Sequence, residues 1–266
     1  MSVSLHVKRL GEGPAVVLLH GLFGAGNNLG VLAQALRDNY RVFSLDLPNH
    51  GRSAWLKNPD LATMAASLQQ WMDAEGLSRA HFVGHSLGGK VAMQFALQHP
   101  QRAASLVIAD IAPVTYSPHH DTVFAALAAV DAAYCTSRKQ ASRVMAEYLK
   151  DEALIQFLLM SLQRDSTGIF RWRFDFESLR LCYASMLAAP SAGLPYSGPT
   201  LFIKGGTSDY ILEKHWPTVQ RLFPQATIKV LPGCSHWLHA EKPQLFNGIV
   251  QRFLVTVKPS MLSSPT

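Results

Sequence analysis

Short apolar runs alternate with helix-patterned stretches through this chain, and that alternation constrains the fold more than any other feature. Residues 14–20, "PAVVLLH", read as a buried strand of a parallel sheet. A glycine-rich loop follows, then "NNLGVLAQALRD", a helical pattern suited to capping by Asn27 or Asn28. "YRVFSLDL" reads as strand, "DLATMAASLQQWMDAEG" as helix, "AHFVGH" as strand, "LGGKVAMQFALQH" as helix and "ASLVIADI" as strand. The rhythm then stops. From Thr115 to Pro195 the chain is helix-like with no convincing strand, and "KQASRVMAEYLKDEALIQFLLMSL" carries apolar positions at helical spacing. Strands return at "PTLFIKGG" and "ATIKVL", with helical "ILEKHWPTVQRLF" between them and "PQLFNGIVQRFLVTV" after. The expectation is an α/β core, 1–114 and 196–258, with a mostly parallel sheet and helices on both faces. A helical insert spans 115–195, and 259–266 form a frayed tail.

Composition narrows the class. Hydrophobic residues make up 48% of the 266 and charged residues 16%, enough apolar content for a sizeable core. The net charge of +6 comes from dispersed Lys and Arg with no basic run, so no nucleic-acid partner is expected. Cys135, Cys182 and Cys234 are odd in number and widely spaced, which argues against a disulfide scaffold or a zinc site. The opening "MSVSLHVKRLGEGPAV" lacks a signal-peptide pattern, and no run is long enough for a membrane span. A cytoplasmic setting without membrane partners is expected.

Between strand "AHFVGH" and the helix after it stands Gly84-His85-Ser86-Leu87-Gly88, a G-x-S-x-G pattern. A strand-to-helix turn this tight strains the serine backbone and lifts its Oγ to the sheet edge, as a nucleophile elbow requires. Neighbours two residues on either side come close together, which glycine allows. The helix N-terminus beside the serine favours developing negative charge.

A serine hydroxyl needs a base. His236, in "LPGCSHWLHAEKP" just past the last strand, has the right chain order, and His239 ranks behind it. His20, His50 and His85 read as loop hydrogen-bonding residues, His85 pointing away from Oγ. The base needs an acid, and two aspartates fit: Asp110, ending "SLVIAD", and Asp209, in "KGGTSDYI" after the next strand. Both fall at the C-terminal sheet edge, where ligands bind open α/β sheets. An oxyanion needs two donors: the N–H of Leu87, and that of Leu22 in "HGLFG", with Phe23 as the alternative.

The string Gly24-Ala25-Gly26-Asn27-Asn28-Leu29-Gly30, with Asp46 some twenty residues on, imitates a dinucleotide site. Its first glycine comes too late after the strand, and the reading leaves Ser86 and His236 unused. His119-His120 are adjacent but lack a metal-binding frame, so no metal and no cofactor is expected.

"LLHGLFGAGNNLG", "SLDLPNHGRS", "FVGHSLGGKVAM", "VIADIAPVTY" and "GCSHWLHAEKP" resemble the α/β-hydrolase superfamily, and within it the YbfF-type esterases. "LIQFLLMSL" and "FRWRFD" in the insert are similar to the same branch. The resemblance implies a serine carboxylesterase acting on short- to medium-chain acyl esters or thioesters, or an acyltransferase or perhydrolase using the same residues. In this branch the acid stands at the "DIAPV" segment, which favours Asp110; Asp209 fits the wider superfamily. "GCSH" departs from the glycine usual before the histidine, and the small Ser235 implies little effect. The insert would be a cap over Ser86. Leu154, Phe157, Leu158 and Met160 are candidate pocket residues, as are Phe23 and Trp237. Arg52 in "NHGRS" reads as a loop anchor that could also meet an anion.

Overall fold

A computed structural model describes residues 4–191 and 193–257. Seven strands form one sheet: β1 (Val7–Leu10), β2 (Ala15–Leu19), β3 (Arg41–Leu45), β4 (Ala80–His85), β5 (Ala103–Ala109), β8 (Thr200–Gly205) and β9 (Ala226–Leu231). A separate hairpin pairs β6 (Leu162–Arg164) with β7 (Phe170–Trp172). The sheet order is β1-β3-β2-β4-β5-β8-β9. Only β1 runs antiparallel to its neighbour.

The period-2 alternation of each strand sorts side chains to two faces. Val16 and Leu18 of β2 join the helices α1 (Gly30–Leu36) and α11 (Pro243–Thr256) on one face. Val17 and Leu19 join α2 (Leu61–Ala74), α3 (Leu87–Gln98) and α9 (Trp216–Leu222) on the other. Every residue of β2 and of β4 is buried, as continuous apolar runs in a two-faced parallel sheet require.

Three local expectations change. Neither Asn27 nor Asn28 caps α1: a 3₁₀ turn, Gly26–Leu29, precedes it, and Asn28 Oδ1 accepts the Ala25 N–H at 2.5 Å. The edge strand β1 escaped notice because its residues are half-exposed or exposed, with no apolar run. The hairpin β6–β7 contradicts a strand-free insert; strands of three residues leave no measurable period. The tail expected at 259–266 lies outside the described residues.

Between β5 and β8 the chain leaves the sheet for α4 (Asp121–Ala132), α5 (Arg138–Ala146), α6 (Glu152–Leu159), the hairpin, α7 (Phe176–Leu181) and α8 (Tyr183–Leu187). Polar contacts fasten this insert to the loops at the sheet's C-terminal edge. Ser161 Oγ donates to the Phe23 carbonyl at 2.6 Å, and Asp175 N–H donates to the Asn49 carbonyl at 2.9 Å. An isolated antiparallel bridge joins His50 to Phe174.

The strongest clamp comes from α3. Lys90 is 1% exposed, and its Nζ donates to the carbonyls of Val114 (2.7 Å), just before the insert, and of Leu187 (2.9 Å) and Ala188 (2.6 Å), at the end of its last helix. The Tyr116 ring lies 5.0 Å from Nζ. Burial pushes the ammonium's pKa down to about 7, so desolvation outweighs what the three acceptors return to the charged form. Lys90→Ala strands three carbonyls and should lower the unfolding free energy by about 2 kcal/mol, read by urea denaturation. A loss below about 0.5 kcal/mol would mean the clamp contributes nothing.

Candidate active site

The corner at Ser86 has φ 51° and ψ −116°, a backbone region costly for any residue with a Cβ. Its neighbours explain how the strain persists. A Cβ on Gly84 would lie 2.4 Å from the Gly88 carbonyl oxygen, and one on Gly88 would lie 2.3 Å from that of Leu19 in β2. Gly84 therefore makes room within the turn, while Gly88 lets α3 approach the next strand. Ser86 N–H donates to the Ala109 carbonyl at 3.0 Å, which locks the corner to the end of β5.

Asp110 follows at the end of β5, itself at φ 52° and fully buried. Its carboxylate accepts the Gly205 N–H on Oδ1 at 2.9 Å. Oδ2 accepts both the Ser208 hydroxyl and His236 Nδ1–H, the latter at 2.8 Å. The structure thus pairs His236 with Asp110 and not with Asp209, whose side chain is exposed. The acid binding Nδ1–H leaves Nε2 as the histidine's free acceptor. Tyr210 stacks on the His236 ring, centroids 4.0 Å apart and planes at 22°. Sequence reasoning missed both Ser208 and Tyr210. Their signal was their position beside Asp209, at the end of a strand neighbouring β5.

The backbone N–H groups of Leu22 and Leu87 donate to no described residue. Phe23 is different. Its N–H donates to His50 Nε2 at 3.1 Å, so Phe23 is corrected as an alternative oxyanion donor. Its backbone is left-handed, φ 63°, and its ring packs on Phe124 and Phe174. His50 Nδ1–H donates to the Pro48 carbonyl at 2.9 Å. His20 repeats the pattern, accepting the Leu47 N–H at Nε2 (2.9 Å) and donating from Nδ1 to the Gly21 carbonyl (2.7 Å). His85 is buried and donates Nε2–H to the His236 carbonyl at 2.9 Å, bracing the loop that carries His236. Ser235, beside it, donates its N–H and hydroxyl to Glu241.

Ser86, His236, Leu22 and Leu87 line one cavity of about 60 Å³, together with Phe23, Phe157 and Trp237. Leu158 does not reach it: it is 0% exposed and packs in the core, so the pocket role expected for it is withdrawn. Leu154 lines the cavity, whereas Met160 is exposed outside it. His119 and His120 form part of its rim, His119 Nε2 hydrogen-bonded to Tyr210 Oη at 2.7 Å and His120 to Tyr183 Oη. Asp46, which imitated a ribose-binding acid, accepts the N–H groups of Gly26 (2.7 Å) and Arg52 (2.9 Å) and so ties two loops together. His239 sits behind the site, its ring 4.4 Å from His85.

A family model described as alpha/beta hydrolase fold matches residues 14–243. The chain belongs to the α/β-hydrolase family. It is 38% identical to the esterase YbfF of Escherichia coli, over 90% of this chain and 92% of that protein. It is 39% identical to the sn-1-specific diacylglycerol lipase of Mus musculus, over 91% of this chain and 81% of the other. A marine microorganism esterase of known structure superposes with a TM-score of 0.92 at 33% identity, over 95% of this chain and all of that one. This α/β-hydrolase is therefore an enzyme, a hydrolase of the YbfF-like esterase branch. Among the described residues no helix is long and apolar enough to cross a membrane.

The buried histidines of the hydrolase give it a pH signature. Burial pushes the His50 pKa down to about 3 and that of His85 well below the usual value. The unfolded chain takes up protons near pH 6.5 that the folded one refuses, so stability is full above that pH and falls as acid approaches the folded values. His50 alone should cost about 2 kcal/mol at pH 5 relative to pH 7.5. Urea denaturation across that range should show the loss, with a shallower slope in His50→Gln. Equal slopes in the two proteins would contradict the neutral-histidine scaffold.

Proposed function

We propose that this enzyme is a serine carboxylesterase that cleaves short-chain acyl esters through an acyl-enzyme on Ser86. The carrying observation is the convergence of Ser86, His236 paired to Asp110, and the two free N–H groups of Leu22 and Leu87 around one cavity. In this reading Ser86 Oγ attacks the ester carbonyl carbon while His236 Nε2 takes its proton. The oxyanion accepts from Leu22 N–H and Leu87 N–H, and Asp110 holds the imidazolium through Nδ1–H. The tetrahedral intermediate collapses, the C–O bond breaks, and Nε2–H protonates the departing alkoxide. Water then attacks the acyl carbon as Nε2 takes its proton, the acyl–Oγ bond breaks, and Nε2–H returns the proton to Ser86 Oγ as the acid leaves. Residues 115–195 act as a cap that keeps bulk water from the intermediate.

A cavity of about 60 Å³ has room for a few waters, which supports small acyl groups over long ones. The named esterases among the relatives support ester substrates. A cytoplasmic location belongs to the same reading.

Ser86→Ala should reduce turnover of p-nitrophenyl acetate by at least about 10⁴-fold. Asp110→Asn should cost about 10³–10⁴-fold, with the fold checked by circular dichroism. Asp209→Asn should stay within about threefold of wild type, the surface-residue range. Wild-type-like turnover in Ser86→Ala would refute the mechanism, and a larger loss at Asp209 than at Asp110 would move the acid.

A further inference from the structure

Two spaces meet at one aromatic wall. Phe157 and Trp237, ring centroids 4.4 Å apart, line both the reaction cavity of about 60 Å³ and a groove of about 890 Å³ outside it. The groove runs between the insert, which supplies Gln156, Ser161 and Arg173, and the loop of the base, which supplies Ser235, His239 and Glu241. Its lining is rich in hydrogen-bonding groups, unlike the apolar end of the cavity at Ile111, Val123 and Met186.

Arg173 stands out in this groove. Its main chain is fixed: its N–H donates to the Ser161 carbonyl at 2.9 Å, and the next residue, Phe174, bridges to His50 and is 2% exposed. Its side chain makes no hydrogen bond or ion pair with any described residue, and Nε is shut off from solvent without an acceptor. A buried donor left unmade is costly, so a guanidinium in this state has capacity for an acceptor from outside the chain. Arg173 also lines the adjoining cleft with Lys8, Arg52 and Asp46, and Asp151 and Glu241 are the carboxylates that line the groove.

The direction of the chemistry says which part of a substrate lies there. His236 returns its proton to the departing oxygen, so the leaving group extends on the histidine side. Trp237 is the next residue, and the groove is walled by the same loop. We infer that the groove is a leaving-group subsite in which Arg173 binds an anionic oxygen, so that the preferred substrates are short-chain esters of alcohols bearing a carboxylate or phosphate. This rests on the acyl-enzyme reading above.

The test uses acetate esters of ω-hydroxyalkanoates two to six carbons long, with the matching ω-acetoxyalkanamides and ω-acetoxyalkyl phosphates. At the length that spans the wall, an anionic ester should show a KM at least about tenfold below that of its amide, the worth of a charge-assisted bond. The ratio should collapse in Arg173→Gln and return in part in Arg173→Lys. The carboxylate and phosphate arms tell the two headgroups apart. No anionic preference at any length, or a preference that survives Arg173→Gln, overturns the inference. Tryptophan fluorescence of Ser86→Ala titrated with ω-hydroxyalkanoates and ω-hydroxyalkanamides reads the groove without turnover. Tighter binding of the acids supports the subsite, and equal binding overturns it while leaving the ester chemistry standing. Acid binding in Ser86→Ala beside a wild-type protein that hydrolyses none of the esters would instead remove the esterase mechanism.

Discussion

The close approach of α3 to β2 and β4 is the constraint on which the site depends. Backbone atoms stand where Cβ atoms would be at Gly84 and Gly88, so the chain can turn from strand to helix within one residue. That residue is Ser86, held at φ 51° by a fold that leaves it no alternative. As at any helix start, the first N–H groups of α3 have no intrahelical partners, and here they stand beside the hydroxyl. The strain at Ser86, the placing of its hydroxyl and the unpaired N–H of Leu87 thus meet at one corner.

Around this corner the loops are oriented by neutral imidazoles. His20 and His50 each accept a main-chain N–H at Nε2 and donate from Nδ1 to a nearby carbonyl, a pairing available only to the uncharged ring. His50 draws the Phe23 N–H away, which leaves Leu22 as the free donor of that loop. His85 does the same work for the loop of the base by holding the His236 carbonyl. Asp110 then orients His236 through Nδ1–H, with Ser208 sharing Oδ2 and Gly205 holding Oδ1.

Much of this was readable from the chain. The strand-helix rhythm located the sheet, and G-x-S-x-G at a predicted strand end located the corner, because both depend on local spacing. What resisted was non-local. Spacing and chain order do not separate Asp110 from Asp209, and only the resemblance at "DIAPV" leaned to Asp110, since the choice depends on how β5 and β8 pair. Phe23 stood as the alternative to Leu22 as oxyanion donor until His50, distant in sequence, took its N–H. Leu158 and Phe157 are adjacent in one helix, and only the helix's rotation sends one to the core and the other to the cavity. Lys90 gave no sign of its three carbonyl partners, which lie on segments far along the chain.

The central claim is that this geometry makes Ser86 a reactive nucleophile, and covalent capture tests it most directly. The wild-type protein should be treated with a fluorophosphonate, digested and mapped by mass spectrometry. The account predicts one adduct per chain, on the peptide containing Ser86, formed with loss of esterase activity. An unlabelled Ser86 in folded protein, or inactivation by an adduct at another residue, would contradict it.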